Sequence, residues 1–206
     1  MSFFGRMKSL FKTAPEEQIV GYSILELKSI FLGAITDAVG QRPSYPVFSV
    51  LTPVGVQAYY SSFLIDKAET VVLEKLIGER FSPVNEKAFN GLTVTRFQHR
   101  SRSEYLIFSI SYKEFNSATI RLITNSSELL SLLGDTKITV PPPWVVFEGF
   151  EASWWGGDMQ GAQGFYNDHY FFPFFSALSP AERSDYYAKY SASEDWIRSL
   201  ELTLDL

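Results

Sequence analysis

The chain has 206 residues, a formal charge of −5, no cysteine, and 18 phenylalanines, 11 tyrosines and 4 tryptophans. Absence of cysteine excludes a disulfide scaffold, a thiolate nucleophile and a cysteine-ligated zinc. With 46% hydrophobic and 20% charged residues, the composition is neither disordered nor fibrous, and the length suits one domain with a core that needs no staples.

The N-terminal MSFFGRMKSLFK places Phe3, Phe4, Met7, Leu10 and Phe11 on one helical face, with Arg6, Lys8 and Lys12 opposite. It lacks the apolar core and cleavage site of a secretory signal. Two readings stay open: peripheral contact with a membrane surface, or a short helix packed on the core. The longest apolar runs, such as Phe171–Phe175, fall far short of the roughly 20 residues of a transmembrane helix.

Ile24–Val39 is apolar nearly all round, which predicts a largely buried helix capped by Gly40. Tyr45–Leu51 and Val54–Tyr60 read as hairpin strands around Pro53–Gly55. Asp66–Arg80 reads as an amphipathic helix capped by Asp66, with Val72, Leu73, Leu76 and Ile77 lining a face and Gly78 near its end. The period then becomes two. Leu92–Gln98, Tyr105–Lys113 and Ala118–Thr124 alternate as half-buried antiparallel strands do, with Asn116-Ser117 at a turn. Ser126/Ser127–Leu133 is a short helix.

Pro141–Pro143 reads as a stiff extended connector. The expectation is a single domain over 1–206, with a subdivision there into a 1–140 body and a 144–206 subdomain. Trp144–Phe150 reads as one more strand, Glu151–Gly164 as a glycine-rich loop, and Phe165–Phe175 as a run aromatic throughout. Ser179/Glu182 and Ser191/Glu194 are capping boxes, the second opening a helix over Asp195–Leu200. The fold class expected is α+β: an antiparallel sheet of about five to six strands with flanking helices and a helical, aromatic-rich C-terminal third.

That third is chemically distinct. Trp144–Trp196 holds 16 of the aromatic residues, including every tryptophan, and residues 144–206 carry ten acids against Arg183, Lys189 and Arg198. Phosphates would be repelled, so nucleic acid is not the expected ligand, whereas a basic partner would be attracted. No GxSxG, P-loop, dinucleotide fingerprint or zinc-type histidine spacing occurs, and no metal or cofactor is expected. His99 and His169 are the only histidines.

Adjacent Trp154 and Trp155 cannot both point into one core from a strand, because neighbours alternate. Glycines around them permit tight turns. Tyr, Trp and Met are the residues enriched at interface centres. The candidate partner-binding residues are therefore Glu151, Trp154, Trp155, Asp158, Tyr166, Asp168 and Tyr170. Phe171, Phe172, Phe174, Phe175 and Trp196 are expected to pack the terminal helices onto the sheet.

The WWGGDMQG run (Trp154–Gly161), the FYNDHYFFPFF segment after it and the acidic capped helices beyond Ser179 resemble cytoplasmic immunity proteins of bacterial toxin systems, including those paired with type VI secretion effectors. The resemblance implies a non-enzymatic protein that binds a cognate toxin domain and occludes its active site. A small carboxylate-dependent hydrolase acting on a sugar- or nucleotide-like ligand is the alternative, requiring two of Glu148, Glu151, Asp158, Asp168 and His169 in one pocket. A third reading is a peripheral adaptor of a secretion apparatus, docked through Phe3–Phe11.

Overall fold

The computed structural model describes residues 18–33, 35, 45–156 and 158–204; the amphipathic Phe3–Phe11 stretch lies outside them. The protein is α+β, with a six-stranded antiparallel sheet and a separate two-stranded hairpin. The hairpin pairs β1 (Gln18–Ile19) with β2 (Tyr22–Ser23) around Val20 and Gly21, both at positive φ, as a two-residue turn of the primed type requires. A Cβ on Gly21 would lie 2.6 Å from the Phe89 Cβ, so only glycine fits.

Ser23 and Glu26 form a capping box on α1 (Ile24–Ile30). The expected helix Ile24–Val39 ends at Ile30 among the described residues, and 36–39 with the expected Gly40 cap lie outside them. Phe31 leaves helical dihedrals at φ −100°, ψ 71°. Nor is the helix buried all round: Leu27 and Phe31 point into the core while Leu25 and Leu32 are exposed, because it lies on the sheet by one side.

The expected hairpin at 45–60 is present in shifted form. β3 is only Ser49–Val50 and pairs with the start of β4 (Tyr59–Ile65). Thr52–Val54 is a 3-10 turn closed by Gly55 at φ 78°, and Pro53, with no N–H to give a ladder, begins no strand. Asp66 caps the next turn by accepting from Ala68 N–H at 2.9 Å, and α2 follows at Thr70–Arg80.

β5 (Phe81–Phe89), β6 (Leu92–His99), β7 (Tyr105–Ser111) and β8 (Ala118–Thr124) complete the sheet in the order β3-β4-β8-β7-β6-β5. β5 is an addition to the expected strands. It is an edge strand with a register shift between Pro83 and Asn85, where a proline in a sheet is tolerated. α3 (Ser127–Asp135) is capped by Ser126.

Alternation gives the sheet two apolar faces. Phe63, Leu106, Phe108, Ile120 and Leu122 face the larger core, with α2, α3 and the C-terminal third. Val94, Ile107 and Ile123 face Val20, Tyr22, Leu27 and Phe31 on the other side. On that second side Arg121 makes two hydrogen bonds to Glu114, at 2.8 and 2.6 Å.

The C-terminal third departs most from expectation. Pro142 is extended, as a stiff connector would be, but Pro141, Pro142 and Pro143 are all buried. Tyr166 Oη donates to the Pro141 carbonyl at 2.6 Å and Tyr186 Oη to that of Val140 at 2.7 Å. One core runs from Ile138 and Val140 through Tyr166, Phe175 and Tyr186, so packing is continuous across the proposed subdivision. The expected strand Trp144–Phe150 is instead a helical turn, α4 (Pro143–Val146), since Pro at the first position presets helical φ.

Within the expected loop, α5 (Gly161–Tyr166) leads into a π-helical turn (Asn167–Phe171) and α6 (Phe172–Phe175). Pro173 has no N–H for the fourth preceding carbonyl, and the ladder before it widens so that Phe172 N–H reaches Asn167 O. α7 (Pro180–Lys189) carries the Ser179/Glu182 capping box. α8 (Glu194–Leu204) is capped by Ser193, whose Oγ accepts from Trp196 N–H at 3.4 Å, rather than by Ser191.

Only Tyr59 and Tyr60 of β4 pair with β3, leaving the rest of its outer edge without a strand. Tyr45 Oη accepts from Leu64 N–H at 2.9 Å and donates to Leu64 C=O at 3.3 Å, satisfying both groups. Tyr45→Phe therefore strands two buried backbone groups and is expected to cost about 1–3 kcal/mol, read from urea unfolding. A second expectation concerns acid. The Arg121 hydrogen bonds hold Glu114 below the ordinary carboxylate range, so its stabilising contribution is full above about pH 4.3 and is lost as pH falls through its depressed folded value. The stability gap between wild type and Glu114→Gln, measured by urea unfolding, should accordingly be widest near neutrality and narrow below pH 4.3.

Candidate functional site

The Glu151–Asp158 segment and α8 build the candidate surface. Glu151 precedes a 3-10 turn over Ala152–Trp154, after which Trp155 is extended. This switch sends the two indoles opposite ways: Trp154 is 63% exposed and Trp155 only 5%. The Trp155 ring packs among Phe147, Phe150, Tyr166 and Trp196 at centroid separations of 5.4–5.9 Å between rings of this group that touch. Ser199 Oγ donates to the Ala152 carbonyl at 3.1 Å and fastens the turn to α8.

Three of the seven expected contact residues are thereby corrected to core positions. Trp155, Tyr166 and Tyr170 are buried. The two tyrosines lie four residues apart on the inward side of the 161–175 helix, with Phe171 and Phe175. Tyr170 Oη shares a hydrogen bond with Ser62 Oγ at 3.1 Å. Burial raises the pKa of Tyr166 and Tyr186, and burial followed by a hydrogen bond to Glu201 raises that of Tyr187. These phenols stay neutral and act as packing groups with one polar end.

Glu151, Trp154, Asp158 and Asp168 are exposed. Phe150 meets Trp154 edge-on at 6.1 Å. A groove of about 630 Å³ runs between this turn and α8, lined among others by Phe150, Glu151, Trp155, Trp196, Asp195 and Leu202. Leu202 is 61% exposed. Sequence reasoning passed over Phe150 and Leu202. The signal for Leu202 was its offset from Trp196, Leu200 and Leu204, which turn inward on α8.

Charge sharpens the surface. Arg183 is paired with Glu201 at 2.7 Å, Lys189 with Glu69 at 2.8 Å and Arg198 with Asp195 at 3.7 Å. Every base of the C-terminal third is thus matched, while Glu148, Glu151, Asp158 and Asp168 have no basic partner among the described residues. Of the carboxylates and histidine that a hydrolase would draw on, Glu151 lines the groove. Glu148, Asp158, Asp168 and His169 are exposed and do not line it. His169 stacks on Phe165 at 4.1 Å. Among the described residues no group of three histidines or acids is placed to hold a metal ion, and no helix is long and apolar enough to cross a membrane.

The two tryptophans should separate by mutation. Trp154→Ala is expected to change unfolding free energy by no more than about 0.5 kcal/mol, whereas Trp155→Ala should cost about 3–5 kcal/mol. Urea titration of both variants measures this, and acrylamide should quench fluorescence more strongly from Trp154 than from Trp155.

Comparison of this chain with protein-family models, curated proteins and solved structures finds no match in any of the three.

Proposed function

We propose that this protein is a cytoplasmic, non-enzymatic binding protein that neutralises a basic toxin or effector domain. Its acidic aromatic surface around Trp154 covers the partner's active site. The observation that carries the reading is the exposed Trp154 indole, three residues after exposed Glu151 and four before exposed Asp158, on a third of the chain whose own bases are already paired. A tryptophan on a surface edge can act as the buried anchor of an interface. Unpaired carboxylates raise the encounter rate with a basic protein and disfavour acidic ones.

The roles divide. Trp154, backed by Phe150, supplies apolar area. Glu151, Asp158 and Asp168 supply the field that steers. Trp155, Tyr166 and Tyr170 hold the surface in shape from beneath. Nucleic acid is disfavoured because its phosphates meet the same negative field.

The test is capture of the partner by tagged protein from its native cell, followed by binding kinetics with the purified pair. Trp154→Ala should weaken affinity by about 1–3 kcal/mol, mainly through faster dissociation. Asp158→Lys with Glu151→Lys should slow association and flatten its salt dependence. A partner bound with wild-type kinetics by both variants, or a captured partner that is acidic, overturns the proposal.

A further inference from the structure

The opposite side of the sheet carries a second feature, unrelated to the aromatic surface. A cleft of about 550 Å³ lies over β7 and β8, between the tips of the β1–β2 and β5–β6 hairpins. This is within the range of small-molecule sites. The two tips touch, because Phe89 packs on Gly21. Val20 and Asn90 hold φ of 50° and 51°. For β-branched Val20 this is a strained conformation that the surroundings must maintain. Lys113 Nζ donates to the Gly91 carbonyl at 3.2 Å and ties the second tip to the turn after β7.

The cleft floor is polar where a sheet face is ordinarily apolar. Register sets Ser62, Arg121 and Ser109 side by side across three strands. Ser109 and Ser111 are buried, and the Ser109 hydroxyl has no side-chain partner among the described residues. Ser111 Oγ accepts from Lys113 N–H at 3.3 Å, Ser109 lines the cleft, and a serine at either position leaves more volume above the sheet than a β-branched residue would.

The Arg121–Glu114 fork supplies the recognition chemistry. A guanidinium has five N–H donors and a carboxylate about four acceptor positions. The fork uses two of each, and the Ser111 and Thr119 hydroxyls that also approach the Glu114 carboxylate can turn from it when a ligand hydroxyl takes their place. The rest leave a charge-assisted donor beside a charge-assisted acceptor, which is what two adjacent hydroxyls require. The walls are apolar or aromatic, chiefly Tyr60, Phe89, Leu92 and Val94, and suit the C–H face of a ring. Glu114 already balances Arg121, and the second base of the lining, Lys113, is turned to the Gly91 carbonyl, so no base of the cleft is left aimed at an anion by the fork. We infer that this cleft binds a neutral ring-shaped polyol, a sugar or the ribose of a nucleoside, through its vicinal diol.

The experiment is amide NMR titration of the full chain with methyl glucoside, methyl galactoside, methyl mannoside, adenosine and uridine. Cyclohexanol, 2′-deoxyadenosine, acetate and inorganic phosphate serve as controls. At least one diol-bearing ligand should give saturable shifts confined to Ser109, Ser111, Arg121 and the two hairpin tips. Saturation by glycosides alone identifies a free sugar, and by adenosine or uridine a nucleoside. Glu114→Gln and the milder Ser109→Ala should each weaken that binding about tenfold, with the remaining sheet amides unshifted. If Glu114→Gln fails to fold, Ser109→Ala alone decides. No saturation by any diol, equal binding of cyclohexanol or 2′-deoxyadenosine, saturation by acetate or phosphate instead, or unchanged binding by Ser109→Ala overturns the inference.

Discussion

Burial of the 161–175 helix against one face of the sheet is the contact on which the rest depends. Tyr166, Tyr170, Phe171 and Phe175 are each almost wholly buried, and burying a large side chain is worth about 1.5–3 kcal/mol. Their direction is set by one backbone event. Pro173 cannot continue the ladder, and the π-helical turn before it inserts an extra residue per turn. Without that shift Phe171 and Phe175 would fall on a different side from Tyr166. With it, Phe171 lies between Tyr166 and Phe175, stacked at 5.5 and 4.9 Å. The same helix covers the open edge of β4, where Tyr170 reaches Ser62.

This packing divides the aromatic content by role. Most rings around Trp155 and Phe171 form core. Three polar ends go to backbone carbonyls, Tyr166 to Pro141, Tyr186 to Val140 and Trp144 to Tyr190, two meet side chains, Tyr170 at Ser62 and Tyr187 at Glu201, and the Trp155 indole N–H has no partner among the described residues. Pro141 and Val140 just before it each accept one of these bonds, which is why the triple proline unites the body and the C-terminal third. What remains outside is small: Trp154, part of Phe150, Phe165 and Leu202. A surface so sparing in apolar area, surrounded by unpaired acids, is consistent with a docking face that stays hydrated when free.

Local chemistry was legible in the sequence; long-range placement was not. β6, β7 and β8 were read within one or two residues because alternation is a local signature of a half-buried strand. The Asp66 and Ser179 caps were legible for the same reason. β5 escaped because Pro83 and an exposed, charged stretch mask it, although Asn90-Gly91 is a strong hairpin signal. The 161–175 helix escaped because its aromatic density and Pro173 suggest anything but a helix. That one of Trp154 and Trp155 must face outward followed from adjacency. Which one does so depends on the 3-10 turn that α8 holds through Ser199. The pairing of Lys189 with Glu69 joins residues 120 apart, so the uncompensated charge of the surface is visible only in the fold.

The Trp154 surface and the cleft over β7 and β8, the two regions proposed to bind, lie in different layers, and one side chain stands between them. The buried Tyr170 ring packs edge-on against Phe115 and against the exposed Phe165, and its hydroxyl meets Ser62, which register places beside Arg121. Burial is the leading reason its pKa is raised, and the Ser62 hydrogen bond and the Arg121 charge oppose that rise. The phenol is therefore neutral and free to act as donor or acceptor toward Ser62. A shift of the 161–175 helix would be felt first at this hydroxyl and then at the row Ser62–Arg121–Ser109. By the same contacts, a ligand that reoriented Arg121 would act back on the helix that carries Tyr170 and Tyr166. Coupling of this kind is reciprocal by thermodynamic necessity, and Tyr170 is the group through which the sheet and the aromatic layer would exchange it.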